Sequence, residues 1–554
     1  MEPLTRRRVV AAVSVAGFTL GVVLSVVFTW DLVAECLHPS PTGVLQSLPK
    51  PLRLLGYAYA LIVPFRFTTT IARAYLDFAL RRELPPYPEG KWPRVAVVVP
   101  VYRERESIER SLQSLDDLSY PGEYEVIVVL DGEDEELDGT PELVRIFLEE
   151  RPRNGKFQLL QKPNGGKASA LNHGIAAAER SGVDLVFCID GDAVVAPEAL
   201  EKLVLHFHGT DVVAVTGQVK ANNWLGGTGA GEHGAFPFWE GVQALEYVGG
   251  NAFLKRAQSL FKMVTIIPGP AGLFRMDALR AIAAETAPHE LCGRPTHPSH
   301  GPYPYDTLAE DMDLTFLLLR WSWRHGLGGI VYEPGAVVKT DGRHHLKDLF
   351  RQRYRWMRGT LTSAARHFHD WSRRLDGRPR RVLTRHDVKV AWTVALVLVA
   401  AILGLWATAH VGTLAAGAIL AAIGLALAAF HWLRTDREPQ IFAVIAVFLF
   451  ETMFWPPVCA LANIFFIWLA VADWHSSAPF LIAWFFCLML LDLLAATFSV
   501  VAEGSSLWLL PYSFLAKPVY VLMLDTFKVV AMIDVVLSVP AVWHQRYVRA
   551  AVAA

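Results

Sequence analysis

Asp190-Gly191-Asp192 follows directly on the apolar run Leu185–Ile189. Two carboxylates one residue apart at the end of a strand can hold a hard divalent cation, Mg2+ or Mn2+. Such a cation prefers oxygen ligands and often bridges protein carboxylates to a diphosphate. A plain Asp-Gly turn uses the same residues without a metal, so the pair alone leaves both readings open. Pro100-Val101-Tyr102-Arg103-Glu104 ends one β-branched run, and Asp131-Gly132 ends another. Both suit a nucleotide, with Tyr102 stacking on a base and Glu104 and Asp131 accepting hydrogen bonds from ribose or base. Ordinary turn residues are the alternative. Asn164-Gly165-Gly166-Lys167 opens a helix. Glycines there let the backbone approach a phosphate, the helix N-terminus favours anions, and Lys167 adds a positive charge. The GxxxxGK[ST] pattern of a P-loop is absent.

Further along, Glu310-Asp311-Met312-Asp313 precedes the apolar helix Leu314–Leu319. Acids at a helix start are favoured by the helix dipole alone. The functional reading is a general base that deprotonates an acceptor hydroxyl. Gln352-Arg353-Tyr354-Arg355-Trp356 lies in a basic amphipathic stretch, about 344–371. A membrane-surface helix would carry the same Arg and Trp. The functional reading gives Arg355 a pyrophosphate and Trp356 a sugar ring.

These residues sit at the ends of short β-branched runs that alternate with helical patterns. Arg94–Val99, Glu125–Leu130, Phe157–Leu160 and Leu185–Ile189 read as buried strands, with helices expected over Ser107–Leu118, Glu142–Glu150 and Lys167–Arg180. That order predicts a parallel sheet covered by helices on both faces. Ligands of such sheets bind beyond the carboxyl ends of the strands, where the polar residues stand.

The flanks differ from this middle block. The chain has 554 residues, 53% of them hydrophobic, with a mean hydropathy of +0.31, which predicts a membrane portion. A basic start, Arg6-Arg7-Arg8, leads into an apolar run over about 9–30, read as a retained anchor, and a weaker segment, interrupted by Arg66 and Arg73, follows over about 53–78. Candidate C-terminal spans cover about 388–409, 413–432, 440–471 and 480–502; the stretch 508–540 reads as a span, a re-entrant piece or a surface helix. Basic residues in the flanking loops place the middle block in the cytosol. Glu451, Asp492 and Asp525 fall in apolar stretches and are candidate channel-lining residues, with pairing to Lys528 or Arg groups as the alternative. A net charge of -1 offers no basis for nucleic acid as a partner. The five cysteines are scattered without CxxC spacing and read as buried thiols. His289, Cys292, His297 and His300 match no firm zinc template and read as a loop.

Taken in order, Tyr102-x-Glu104, Asp131, Gly166-Lys167, Asp190-x-Asp192, Glu310-Asp311 and Gln352-x-x-Arg355-Trp356 resemble the processive family 2 glycosyltransferases, the hyaluronan, chitin, cellulose and poly-N-acetylglucosamine synthases. Pro268-Gly269-Pro270-Ala271-Gly272-Leu273-Phe274-Arg275 and Asp306–Asp311 are similar to the NodC-like and poly-N-acetylglucosamine synthase branch. The resemblance implies a GT-A-like α/β cytosolic domain inserted between N- and C-terminal transmembrane helices. The expected divisions are 1–82 for two transmembrane helices, 92–343 for the transferase domain, 344–375 for interface helices and 388–545 for the C-terminal membrane region.

The same resemblance implies that Pro100, Tyr102, Glu104, Asp131, Lys167, Asp190, Gln352 and Arg355 bind the donor. Asp192 with Asp190 would hold the metal. Asp311 would be the base beside Glu310, and Trp356, Gly269, Pro270 and Ala271 would meet the acceptor. The implied partners are a UDP-sugar, with UDP-N-acetylglucosamine the first choice, a growing polysaccharide, the lipid bilayer, and an accessory subunit or a second copy. The implied location is a multi-pass protein of the plasma (inner) membrane. A polyprenyl-phosphate glycosyltransferase, a hyaluronan or cellulose synthase and a non-catalytic scaffold are the competing readings.

Overall fold

A computed structural model describes residues 3–37, 50–134, 138–150, 156–221, 238–285, 301–371 except 306, and 474–537 except 516, with scattered positions between 458 and 471. The spans expected over 388–409 and 413–432, most of 440–471, Glu451, and the His/Cys group at 289–300 lie outside the described residues.

The middle block folds around an eight-stranded sheet of order β3-β2-β1-β4-β7-β6-β8-β5. Its strands are β1 Val95–Val101, β2 Tyr124–Asp131, β3 Lys156–Lys162, β4 Leu185–Cys188, β5 Val194–Val195, β6 Ala214–Ala221, β7 Gly272–Arg275 and β8 Ile330–Thr340. Every residue of β1 is buried. The period-2 geometry of a strand divides those residues between two cores. Ala96 and Val98 join one core with Leu171 and Ile175 of α5 (Lys167–Arg180) and Leu314 and Leu318 of α10 (Glu310–Arg324). Val95, Val97, Val99 and Val101 join the other with Ile108 and Leu112 of α3 (Ile108–Asp116) and Phe147 of α4 (Thr140–Glu150). A strand covered on both faces needs apolar residues at every position, which is why these runs read clearly in the sequence.

The all-parallel expectation is corrected. β1 to β4 pair in parallel, but β7 runs antiparallel to both β4 and β6 in the middle of the sheet. β7 is Gly-Leu-Phe-Arg, whose two central residues alone are too short an apolar run to announce a strand. Pro100 lies inside β1 rather than ending it. The pairing of β1 with β4 stops at Val98, so the missing N–H of Pro100 interrupts no ladder on that side.

The described parts of the apolar flanks form long helices. α1 spans Pro3–Leu37, and α2 spans Lys50–Leu80, continuing through Pro64. Among the described residues, Leu4–Thr29 of α1 and Leu481–Ala502 of the helix Trp474–Ala502 are long and apolar enough to cross a membrane. The last stretch forms a 3-10 turn, Leu507–Leu509, and two helices, Leu510–Leu515 and Lys517–Val536.

A buried ionic network joins these helices to the sheet domain. Arg256, from the one-turn helix Arg256–Ser259, bonds Glu503 at 2.7 Å and Asp77 of α2 at 3.0 Å. The Tyr332 hydroxyl of β8 donates to Glu503 at 2.9 Å. Arg81 reaches Asp77 at 3.1 Å and Glu333 at 3.2 Å, and His206 lies 2.7 Å from Glu333. Arg6 of α1 donates to the carbonyls of Val501 and Ala502.

Candidate active site

The strand ends place the polar residues along one edge. Asp131 closes β2 with only 3% of its surface exposed. Its Oδ1 accepts from Lys162 Nζ at 2.7 Å and from the Gly165 N–H at 2.9 Å, which fixes the loop between β3 and α5. Gly166 adopts φ 83°, a left-handed conformation that turns the chain into α5 and sets Lys167 at its first position. Tyr102 stands on the rim, 41% exposed, with the Arg103 guanidinium 5.4 Å from its ring.

Around Lys167 three segments converge. Its Nζ lies 2.6 Å from Asp190 Oδ1 and 3.7 Å from Glu310 Oε1. The turn Gly269–Ala271, which leads into β7, approaches from the side. A Cβ at Gly269 would stand 2.4 Å from Lys167 Nζ, so a larger residue would displace the ammonium. The Gly269 N–H donates to Asp311 Oδ2 at 2.9 Å. Glu310 and Asp311 form the first turn of α10 rather than preceding it.

The electrostatics are lopsided. Burial opposes the charge on Lys167, but Asp190, Glu310 and Asp311 outweigh it and hold its pKa above the ordinary value. Burial and the adjacent Asp311 push Glu310 up despite Lys167. Burial, then Asp190 and Asp341, push Asp192 up. Glu104 rises to about 7 through burial and Asp192, against the Ser107 hydrogen bond. Among the described residues Asp192 has only long hydrogen-bond contacts, 3.4 and 3.5 Å, from the Thr340 hydroxyl. Carboxylates so placed suit a cation. Among the described residues no group of three or more His, Cys, Asp or Glu forms a closed metal cage. A cation here would therefore combine Asp192 and Asp190 with non-protein oxygens, as Mg2+ and Mn2+ do on phosphates.

A cavity of about 1590 Å3 opens beside these groups. Lys167, Asp190, Asp192, Glu310 and Asp311 line it, and so do Gly269 and Pro270. Gln352, Arg355 and Trp356 face the same space from α11, Leu346–Trp371, a single helix within the expected 344–375. The wall continues to Arg66 of α2, Asp492 of Trp474–Ala502 and Asp525 of Lys517–Val536. Asp525 also pairs with Lys528 at 3.2 Å, the alternative expected for it. Pro100, Tyr102, Glu104 and Asp131 are not on this wall. Ala271 is corrected as an acceptor contact: it is fully buried in the core beneath the turn, because it leads directly into a central strand.

Several residues on or beside this wall escaped the sequence reading. Arg353, rather than Arg355, is the fully buried arginine of the Gln352–Trp356 segment. It bonds Glu246 of α7 (Phe238–Gly249) at 2.5 Å and Tyr520 at 3.1 Å. Arg343 also lines the cavity and lowers the cost of charging Asp192 and Glu104. The available signal was Glu246 itself, a carboxylate in the apolar run ValGlnAlaLeuGluTyrVal at 242–248, which demands a partner. Asp313, fully buried, joins α10 to α11 through His367 at 2.8 Å and Arg366 at 3.1 Å.

Residues 96–282 match the family described as Glycosyl transferase family 2. An N-acetylglucosaminyltransferase of Mesorhizobium japonicum is 28% identical over 315 residues, 55% of this chain and 64% of its own. One from Rhizobium meliloti is 31% identical over 277 residues, 49% of this chain and 56% of its own. A poly-beta-1,6-N-acetyl-D-glucosamine synthase of Staphylococcus epidermidis is 27% identical over 280 residues, 50% of this chain and 57% of its own. The chain thus spans less than two thirds of the length of these relatives.

Proposed function

We propose that this chain, which carries a glycosyl transferase family 2 domain over residues 96–282, is an inverting hexosyltransferase that polymerises N-acetylglucosamine from UDP-N-acetylglucosamine into a β-linked polysaccharide and passes the product through adjacent membrane helices. The observation that carries this reading is one cavity whose lining includes Lys167, Asp190, Asp192 and Asp311 together with Trp356 and with Asp492 and Asp525 of apolar helices. The names of the relatives above support the choice of sugar.

In this reading the acceptor sugar rests on Trp356 with one hydroxyl toward Asp311. The Gly269 N–H holds Asp311 Oδ2, so Oδ1 takes the proton. The acceptor oxygen attacks the α-linked anomeric carbon from the face opposite UDP. The new C–O bond forms as the bond to the diphosphate breaks, and the linkage becomes β. Arg355, the exposed arginine of the segment, balances charge on the departing diphosphate. A bound Mg2+ or Mn2+, held by Asp192 and Asp190, would neutralise further charge on it. Gln352 and Lys167 orient the donor, and Asp131, Glu104, Tyr102 and Pro100 shape the nucleotide side.

The test is to purify the full chain in detergent, supply single UDP-sugars with Mg2+ or Mn2+, and size the product. UDP-N-acetylglucosamine is expected to yield a saccharide polymer with matching UDP release. A lipid-linked monosaccharide, or no product from this donor, overturns the reading.

A further inference from the structure

Arg353 has no exposed side-chain surface and sits one turn before Trp356 on α11, so the two share a helix face. Its guanidinium carbon lies 4.2 Å from the centroid of the Trp356 ring, close for a cation over an aromatic face. The guanidinium is fixed at each of its nitrogens. Nη2 bonds Glu246 Oε2 at 2.5 Å, Nε bonds the Tyr520 hydroxyl at 3.1 Å, and Nη1 bonds Gln352 Oε1 at 2.9 Å. The Tyr520 hydroxyl donates in turn to Glu246 Oε2 at 2.7 Å, closing a ring of bonds across three helices. Glu246, Gln352, Trp356 and Tyr520 all line the cavity.

We propose that Arg353 is a positioning residue: clamped by Glu246 and Tyr520, it covers one face of the Trp356 indole and fixes the other toward the acceptor sugar. This rests on the reading of Trp356 as the acceptor platform. The physical reason is geometric. An indole on an isolated side chain rocks about two torsions, and a planar cation held by a rigid fork removes that freedom. Lysine at 353 keeps the charge but offers no plane and cannot bond three partners in that fork. The clamp also gives the C-terminal helix Lys517–Val536 a direct hold on the acceptor platform through one hydroxyl.

The experiment uses the full chain in detergent, labelled with 5-fluorotryptophan. The Trp356 fluorine line is assigned by its loss in Trp356→Phe. Tyr520→Phe removes a single oxygen and Arg353→Lys removes the plane, so the first serves if the second fails to fold. Both are expected to broaden, split or shift the Trp356 line. Both should also raise the KM for an added N-acetylglucosamine oligosaccharide about tenfold, while in Tyr520→Phe, which keeps the Arg353–Gln352 bond, the KM for the UDP-sugar changes less than twofold. Glu246→Gln, which keeps an acceptor oxygen, should fall between wild type and Arg353→Lys. An unchanged Trp356 line in Tyr520→Phe and Arg353→Lys overturns the proposal, as does a parallel rise in both KM values of Tyr520→Phe. If the wild type transfers no N-acetylglucosamine, the reading of the activity fails, and the fluorine lines still decide the clamp.

Discussion

The junction network is a largely buried cluster of charge and the candidate site a half-buried one, and they are built oppositely. At the junction, Arg256, Arg81 and His206 face Asp77, Glu503 and Glu333, and each acid has a cationic partner within 3.2 Å. At the site, Lys167 is shared between Asp190 and Glu310, while Asp192 has no cation within ion-pair distance among the described residues. The first cluster is complete as it stands and fixes one body against another. The second has a surplus of negative charge facing a cavity. Such a surplus raises the energy of the empty protein and is relieved by cationic ligands. The contrast separates charge used for architecture from charge held ready for chemistry.

Four substitutions sharpen or break that contrast. The largest effect is expected at Asp311. Asp311→Asn should lower transfer by about 1000-fold while leaving UDP-sugar binding, followed by calorimetric titration, within about twofold. Normal polymerisation by this variant would remove Asp311 from the role of base. Next comes the junction, where Arg256→Met leaves Glu503 buried without its cation and Asp77 with Arg81 alone. A loss of about 3–5 kcal/mol is expected, read as a marked fall in thermal midpoint. The double variant with Glu503→Gln should recover part of it, and no recovery would mean that the charge balance is not what matters there.

The Asp313 link between α10 and α11 is smaller. Burial pushes this carboxyl up, but Arg366 and His367 outweigh it and bring it down to about 2. A depressed carboxylate stabilises the fold at any pH above its unfolded value, near 4, and that stability drains away as the pH falls through 2. Asp313→Asn should therefore reduce stability by on the order of 2 kcal/mol at neutral pH, with the gap from wild type closing as the solution is acidified. A gap independent of pH would assign the effect to packing. The smallest change, and the one of opposite sign, is expected at Asp192. Asp192→Asn removes a repelled carboxylate and should raise the thermal midpoint in chelator by about 1–2 °C, roughly a few tenths of a kcal/mol. Adding Mg2+ or Mn2+ at about 100 times Kd should stabilise the wild type by about 2.7 kcal/mol and the variant far less. Equal stabilisation of both would place the cation elsewhere.

The sequence disclosed these features unevenly, for physical reasons. β1, β2 and β4 were legible because burial on both faces forces an unbroken apolar run, and Asp131 and Asp190 were legible because they stand where such runs stop. β7 was not, since it is as short as β4 but begins with glycine and ends with arginine, leaving only Leu273 and Phe274 as an apolar run. Asp311 and Trp356 could be picked out as types, but the short spacing between Asp311 and the Gly269 N–H belongs to segments 42 residues apart. Arg353 and Arg355 look alike in one dimension. Only the helix face, which buries one against Glu246 and Tyr520 and turns the other outward, tells them apart.

The reversed direction of β7 has a further effect. Because this strand runs against β4, its beginning rather than its end lies level with Cys188, just before Asp190. The connector at 268–271 is thereby delivered into the chemistry, and its length works as a ruler between Lys167 and Asp311. Insertion of one residue there would shift a backbone donor and a steric stop together, leaving every acidic side chain in place but out of step with its neighbours.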